Sequence, residues 1–253
     1  MIGLAIAFFI TALLYATAGF GGGSTYTALL VLGHADYRIV PLISLLCNIL
    51  VTVIGSWRFA GAGHVDWHRT WPLFAMSVPM AWIGGQLAVG ETLFVGLLAL
   101  SLLVAGLLML WQPYWDQEKP PARLFPLFGP IAGGALGFLA GVVGIGGGIF
   151  LAPLLYLVRW GSPRAIAGTS AVFILVNSVA GLGGQIVKSG AVAGGVLGAH
   201  WPLFLAVVLG GALGSTIGRD RIDPKYLRML TALLVLYVAV RLSLRFGGLM
   251  GSG

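Results

Sequence analysis

The sequence predicts an all-α, polytopic transmembrane protein made of two homologous, inverted halves, each with a helix broken or re-entrant at a GxGGG motif. Composition, an internal repeat and the distribution of positive charge predict it. Of 253 residues, 58% are hydrophobic and 8% charged, with a mean hydropathy of +1.00. A soluble domain carries about 25% charged residues, so this chain cannot cover itself with polar surface and needs lipid as its solvent. The formal net charge of +7 sits in short loops between apolar runs, which is the membrane-topology pattern rather than the footprint of a nucleic-acid binder. A lone cysteine, Cys47, excludes an internal disulfide framework and a multi-cysteine metal site. Met1 runs straight into an apolar stretch without a charged leader, so no removable signal peptide is expected.

Apolar runs predict helices over 3–18, 26–33, 39–60, 71–89, 92–112, 125–143, 149–160, 165–187, 201–218 and 227–246. A span needs roughly 20 apolar residues. The runs 26–33 and 149–160 are too short, and each follows a glycine cluster. Eight helical residues reach about 12 Å, near the middle of a ~30 Å hydrocarbon core. The polar, proline-rich stretch 113–124 reads as a linker, dividing the chain into a first repeat (1–112) and a second (125–253). Gly19-Phe20-Gly21-Gly22-Gly23 returns as Gly144-Ile145-Gly146-Gly147-Gly148, and Trp71-Pro72-Leu73-Phe74 returns as Trp201-Pro202-Leu203-Phe204. Between these anchors Arg38, Ser44 and Asn48 match Arg164, Ser170 and Asn177 approximately. A repeat in this order predicts duplication.

Charge decides the orientation. If each GxGGG only kinks a span, the basic residues divide seven against seven. If each GxGGG is a turn that returns the chain to its starting side, Arg38, Lys188, Arg241 and Arg245 face the ten at 58, 69, 119, 123, 159, 164, 219, 221, 225 and 228. Cytoplasmic loops carry excess Lys and Arg, which favours the second topology. The linker is then cytoplasmic, both termini are periplasmic, and the halves are inverted.

A broken helix exposes backbone N–H groups and the positive end of its dipole, which favour an anion. Such ends meeting at the membrane midplane form transporter binding sites. Gly21, Gly22 and Gly23 lead into Ser24 and Thr25, which are expected to cap the first broken helix. Gly146, Gly147 and Gly148 lead into Ile149, so the second copy lacks hydroxyls and the site is expected to be symmetric in backbone only. Polar residues inside spans are functional candidates: Ser44 and Asn48, four apart on one face, and Thr169, Ser170 and Asn177. Gln86, Gln185 and Thr216 are weaker candidates, and interhelical hydrogen bonding is the alternative role for all of these. No acidic residue falls inside a span, so dipoles, hydroxyls and amides would hold the anion. Cys47 reads as a small buried hydrophobe. His64, Asp66 and His68 read as a loop without a partner cluster, not a metal site. Trp67, Trp71 and Trp201 read as interface aromatics.

The paired GxGGG motifs with Ser24 and Thr25, the Pro41 and Pro163 helix starts, and Thr169-Ser170 resemble the sulfite exporter TauE/SafE family, also called the TSUP anion permeases. The resemblance covers nearly the whole chain. It implies transport of a small, often sulfur-containing anion, of the sulfite or organosulfonate class, across the bacterial inner membrane. A secondary transporter using alternating access is the first expectation, and a passive anion channel the alternative. A hydrolase lacks a histidine base near Ser24 within any span. The expected partners are a small inorganic or organosulfur anion and the lipid bilayer, with a homodimer left open. Neither cofactor nor metal is expected, and no catalytic residue.

Overall fold

The protein is described by a computed structural model covering residues 1–17, 20–111, 125–190, 192–217 and 224–251. Gly19, the linker 113–124, and Arg219 and Arg221 lie outside the described residues, as does the placement expected for them.

The described residues form eleven helices: α1 (Ile2–Thr17), α2 (Gly23–Leu32), α3 (Val40–Gly61), α4 (Trp67–Gln86), α5 (Glu91–Trp111), α6 (Phe125–Val143), α7 (Gly148–Leu157), α8 (Pro163–Ser189), α9 (Val192–Ala199), α10 (Trp201–Ile217) and α11 (Pro224–Gly251). Local chemistry sets several of the ends. Proline stands in the first turn of α3 and of α8, where its missing N–H costs nothing. Asp66 caps α4 by accepting from the Arg69 amide at 3.2 Å, so His68 sits in a helical first turn rather than in the expected loop. Ser162 caps α8 by accepting from the Ala165 amide at 3.2 Å, and Gly190, at φ 55°, ends it.

Among the described residues three helices, α3, α5 and α8, are long and apolar enough to cross a membrane, and α9 with α10 passes as a pair bent by 59°. Helices α1, α2 and α7 are shorter and apolar. Trp57 and Ile2 are 80% and 81% exposed. So much open apolar surface fits a lipid-facing exterior.

Glycine lets the helices touch. Gly133, Gly137 and Gly141 of α6 lie against the backbone of Leu73, Ser77 and Ala81 of α4, four residues apart on both helices and running in the same direction. Gly210 and Gly214 of α10 lie in the same way against Phe9 and Leu13 of α1. Helix α5 pairs with α11 and α3 with α8, while Gly85 of α4 meets Gly181 and Gly184 of α8. Small residues at such crossings replace the hydrophobic drive that lipid removes.

Polar contacts define two opposite ends of the bundle. At one, Arg245 Nη2 pairs with Glu91 at 2.7 Å while its Nη1 donates to the Val31 carbonyl at 2.8 Å. This joins the ends of α2 and α11 to the start of α5. At the other, Arg58 donates to the Ser215 carbonyl and Arg69 to the Trp160 carbonyl, both at 3.0 Å, and the Arg69 guanidinium lies 4.4 Å from the centre of the Trp160 ring. Helix α2 therefore ends at one face and α7 at the opposite face.

Candidate functional site

The two glycine segments, more than a hundred residues apart in the chain, meet in the interior. Asn48, fully buried on α3, donates from Nδ2 to the Ile145 carbonyl at 3.1 Å. One turn earlier, Ser44 donates to the Gly23 carbonyl at 3.0 Å and receives a hydrogen bond from Thr27 at 2.8 Å. Thr27 also reaches the Gly144 carbonyl at 3.4 Å. Space explains the glycines. A Cβ at Gly23 would collide with Asn48 and lie 2.5 Å from the Ile145 oxygen; at Gly146 it would lie 2.7 Å from Asn48 Nδ2 and 2.8 Å from Ser178 Oγ.

Backbone conformation differs between the segments. Gly144, Gly146 and Gly147 have φ of 81°, 79° and 78°, a region that L side chains rarely adopt. Gly22, which caps α2, has φ −91°. The expected backbone symmetry is thus incomplete. The expected hydroxyl cap is replaced as well. Ser24 and Thr25 lie inside the first turn of α2, which has no side-chain cap hydrogen bond. Thr25 instead shares a 3.0 Å hydrogen bond with the Tyr15 hydroxyl. The glycine run places the helix start one residue earlier than the hydroxyls.

Of the expected residues, Gly21, Gly22, Gly23, Ser44, Asn48, Gly146 and Gly148 gather around this junction, and Ser24 and Thr25 sit in the adjoining turn. Gly147 caps α7 and faces Phe173. Asn177 is buried but donates to the Phe173 carbonyl of its own helix at 2.8 Å. Thr169 and Ser170 are fully buried with hydroxyls that no described residue partners, and neither is among the nearest neighbours of the glycines. Arg38 and Arg164, like Ser44 and Ser170, are 126 residues apart. At that spacing Asn48 corresponds to Ile174, and Thr52 to Ser178. Ile174 is the residue that faces Gly21, Gly146 and Gly148. The two halves therefore meet as an amide opposite an alkyl group, not as two amides. Gln185 bonds the Gly141 carbonyl at 2.9 Å, whereas Gln86 and Thr216 are exposed.

Three contributors had no signal as site residues. Thr27 carries hydrogen bonds to both halves. Tyr26 is fully buried against Phe8, and a Cβ at Gly22 would lie 2.9 Å from its hydroxyl. Ser178 stands beside Gly146. The Tyr26 and Ser178 hydroxyls and Asn48 Oδ1 are buried without a hydrogen-bond partner. Two helix N-termini, two hydroxyl donors and an amide converge here without a carboxylate. Among the described residues no three His, Cys, Asp or Glu side chains group to hold a metal.

This arrangement inside a lipid-facing helical bundle is that of a multi-pass membrane transporter. The family profile described as Sulfite exporter TauE/SafE matches residues 4–242, and the chain belongs to that family. It is 33% identical over 247 residues to a probable membrane transporter protein of Sinorhizobium fredii, covering 95% of this chain and 97% of that one. A probable membrane transporter protein of Methanocaldococcus jannaschii is 26% identical over 251 residues, 91% of each chain. One from Xylella fastidiosa is 39% identical over 111 residues, 43% of this chain and 40% of its own. No solved structure matches. The family is one of transporters, not enzymes.

Proposed function

We propose that the chain is a secondary transporter of a small, sulfur-containing anion, of the sulfite or organosulfonate class, working by alternating access around the junction of the glycine segments. The hydrogen bond from Asn48 to Ile145, with Gly23 packed against both residues, carries this reading, because the starts of α2 and α7 approach one buried point there. Partly positive N-termini, the Tyr26 and Ser178 hydroxyls and the Asn48 amide can replace the water around an oxyanion.

Inverted halves, 1–112 and 125–253 about the linker 113–124, are supported by the pairing of helices. Exchanging the halves turns α4 on α6 into α10 on α1 and leaves α5 on α11 and α3 on α8 unchanged. Helices α2 and α7 end at opposite faces, as two re-entrant hairpins would. The face of Arg58 and Arg69 is the cytoplasmic one by charge, and the protein resides in the bacterial inner membrane. Halves joined by glycine crossings can rock and open one face at a time. Backbone contact at the junction fits such a carrier better than a standing pore.

Proteoliposomes loaded with unlabelled sulfite and diluted into labelled sulfite test this. Saturable counterflow is expected, and uncoupled conductance without counterflow would instead make the protein a channel.

A further inference from the structure

On the face that carries the α2–α3 turn, a cavity of about 670 Å³ opens between that turn, the α4–α5 turn, the end of α8 and α9. Its wall holds two cations from separate elements, Arg38 and Lys188, and one carboxylate, Asp36. Asp36 accepts from the Arg38 amide at 2.9 Å through Oδ1, and its charge also acts on the Arg38 guanidinium. Arg38 Nε donates to the Tyr37 hydroxyl at 3.3 Å, and the guanidinium lies 5.5 Å from the centre of the Tyr37 ring. Neither Arg38 nor Lys188 has an ion-pair partner among the described residues. The wall also carries the apolar side chains of Leu42, Phe94 and Val142. The volume suits an organic ligand better than a bare oxyanion.

This cavity stops short of the glycine junction. Pro41 lines it and is packed on the second glycine segment, for a Cβ at Gly144 would lie 2.5 Å from Pro41 Cα. Asn48 lies seven residues further along α3, about 10 Å of helix.

We propose that the cavity is a second, outer anion site that takes an organic anion: an oxyanion head held by Arg38 and Lys188, and a short apolar body against Leu42, Phe94 and Val142. It rests on the reading of the chain as an anion carrier and adds the place and size class of first capture. Propane-1-sulfonate has both parts. Taurine has the same head, but its ammonium meets a wall of net positive charge. Sulfite has no apolar body.

Calorimetric titration of the full chain in lipid nanodiscs tests the site, beside uptake into proteoliposomes. Propane-1-sulfonate is expected to bind more tightly than taurine or sulfite. Arg38→Gln and Lys188→Gln are each expected to weaken it about tenfold, the loss of one charge-assisted contact, while Arg38→Lys retains most of the affinity and shows that the turn still folds. Asn48→Ala is expected to leave this binding within about twofold while transport is lost. Unchanged binding in the double glutamine variant, or equal affinity for taurine, would overturn the outer site and leave the glycine junction standing. If Asn48→Ala transports normally while Arg38→Gln no longer binds, the junction reading fails and the outer site survives.

Discussion

Asn48 joins segments 97 residues apart through one hydrogen bond. Replacing it with alanine leaves the buried Ile145 carbonyl without that donor, a cost of about 1–3 kcal/mol. Asn48→Ala should therefore insert into the membrane, unfold at a lower temperature and transport no anion; normal sulfite counterflow would remove it from the site. At Gly146 the backbone is the obstacle. A left-handed φ costs an L residue about 1–2 kcal/mol, and the new methyl would also press on Asn48 and Ser178. Gly146→Ala should lower the midpoint of thermal unfolding more than Gly21→Ala, whose φ is not left-handed. At this scale the sequence is only partly legible. Ser44 and Asn48 stand out as polar groups four apart in an apolar run. Tyr26, Thr27 and Ser178 read as ordinary packing residues, and a carbonyl acceptor such as Ile145 has no side-chain signature. Asn177 resembles Asn48 in type, but the 126-residue spacing puts Ile174 in the corresponding place, and the structure shows Ile174 facing the glycines.

The glycine ridge of α6 has two kinds of position. A Cβ at Gly137 would run into the Ser77 carbonyl, whereas at Gly134 the first neighbour is a Met80 side-chain carbon at 3.6 Å. Gly137→Ala should force α4 and α6 apart and lower the unfolding temperature. Gly134→Ala should be neutral or slightly stabilising, since alanine is preferred over glycine in helices by about 1 kcal/mol. Equal melting points for the two variants would contradict the backbone contact. Ten of the eleven helices were legible as apolar runs bounded by glycine, proline and charge. Helix α9 was not, because its eight residues include three glycines and fall below span length. Which helix packs on which was also illegible. Lipid-facing and helix-facing sides are both apolar, so no amphipathic stripe marks the partner.

At the scale of the molecule, the count of basic residues in the sequence predicts that the two faces differ in charge, and that orientation can be read from either side of a membrane. In a Cys47→Ala background, Arg38→Cys should react with an impermeant maleimide in intact cells, and Arg69→Cys only after permeabilisation. The reverse order would invert the orientation drawn from the basic residues. The pairing of α1 with α10 also has a consequence in time. Phe9 packs on Gly210, and a ribosome adding about 5–20 residues per second needs some 10–40 s to make the chain between them. Throughout that interval α1 has only lipid, or an insertion chaperone, along the edge that α10 will cover. The contact between α1 and α10 therefore closes late in synthesis, and a chain cut short before Gly210 leaves α1 uncovered along that edge.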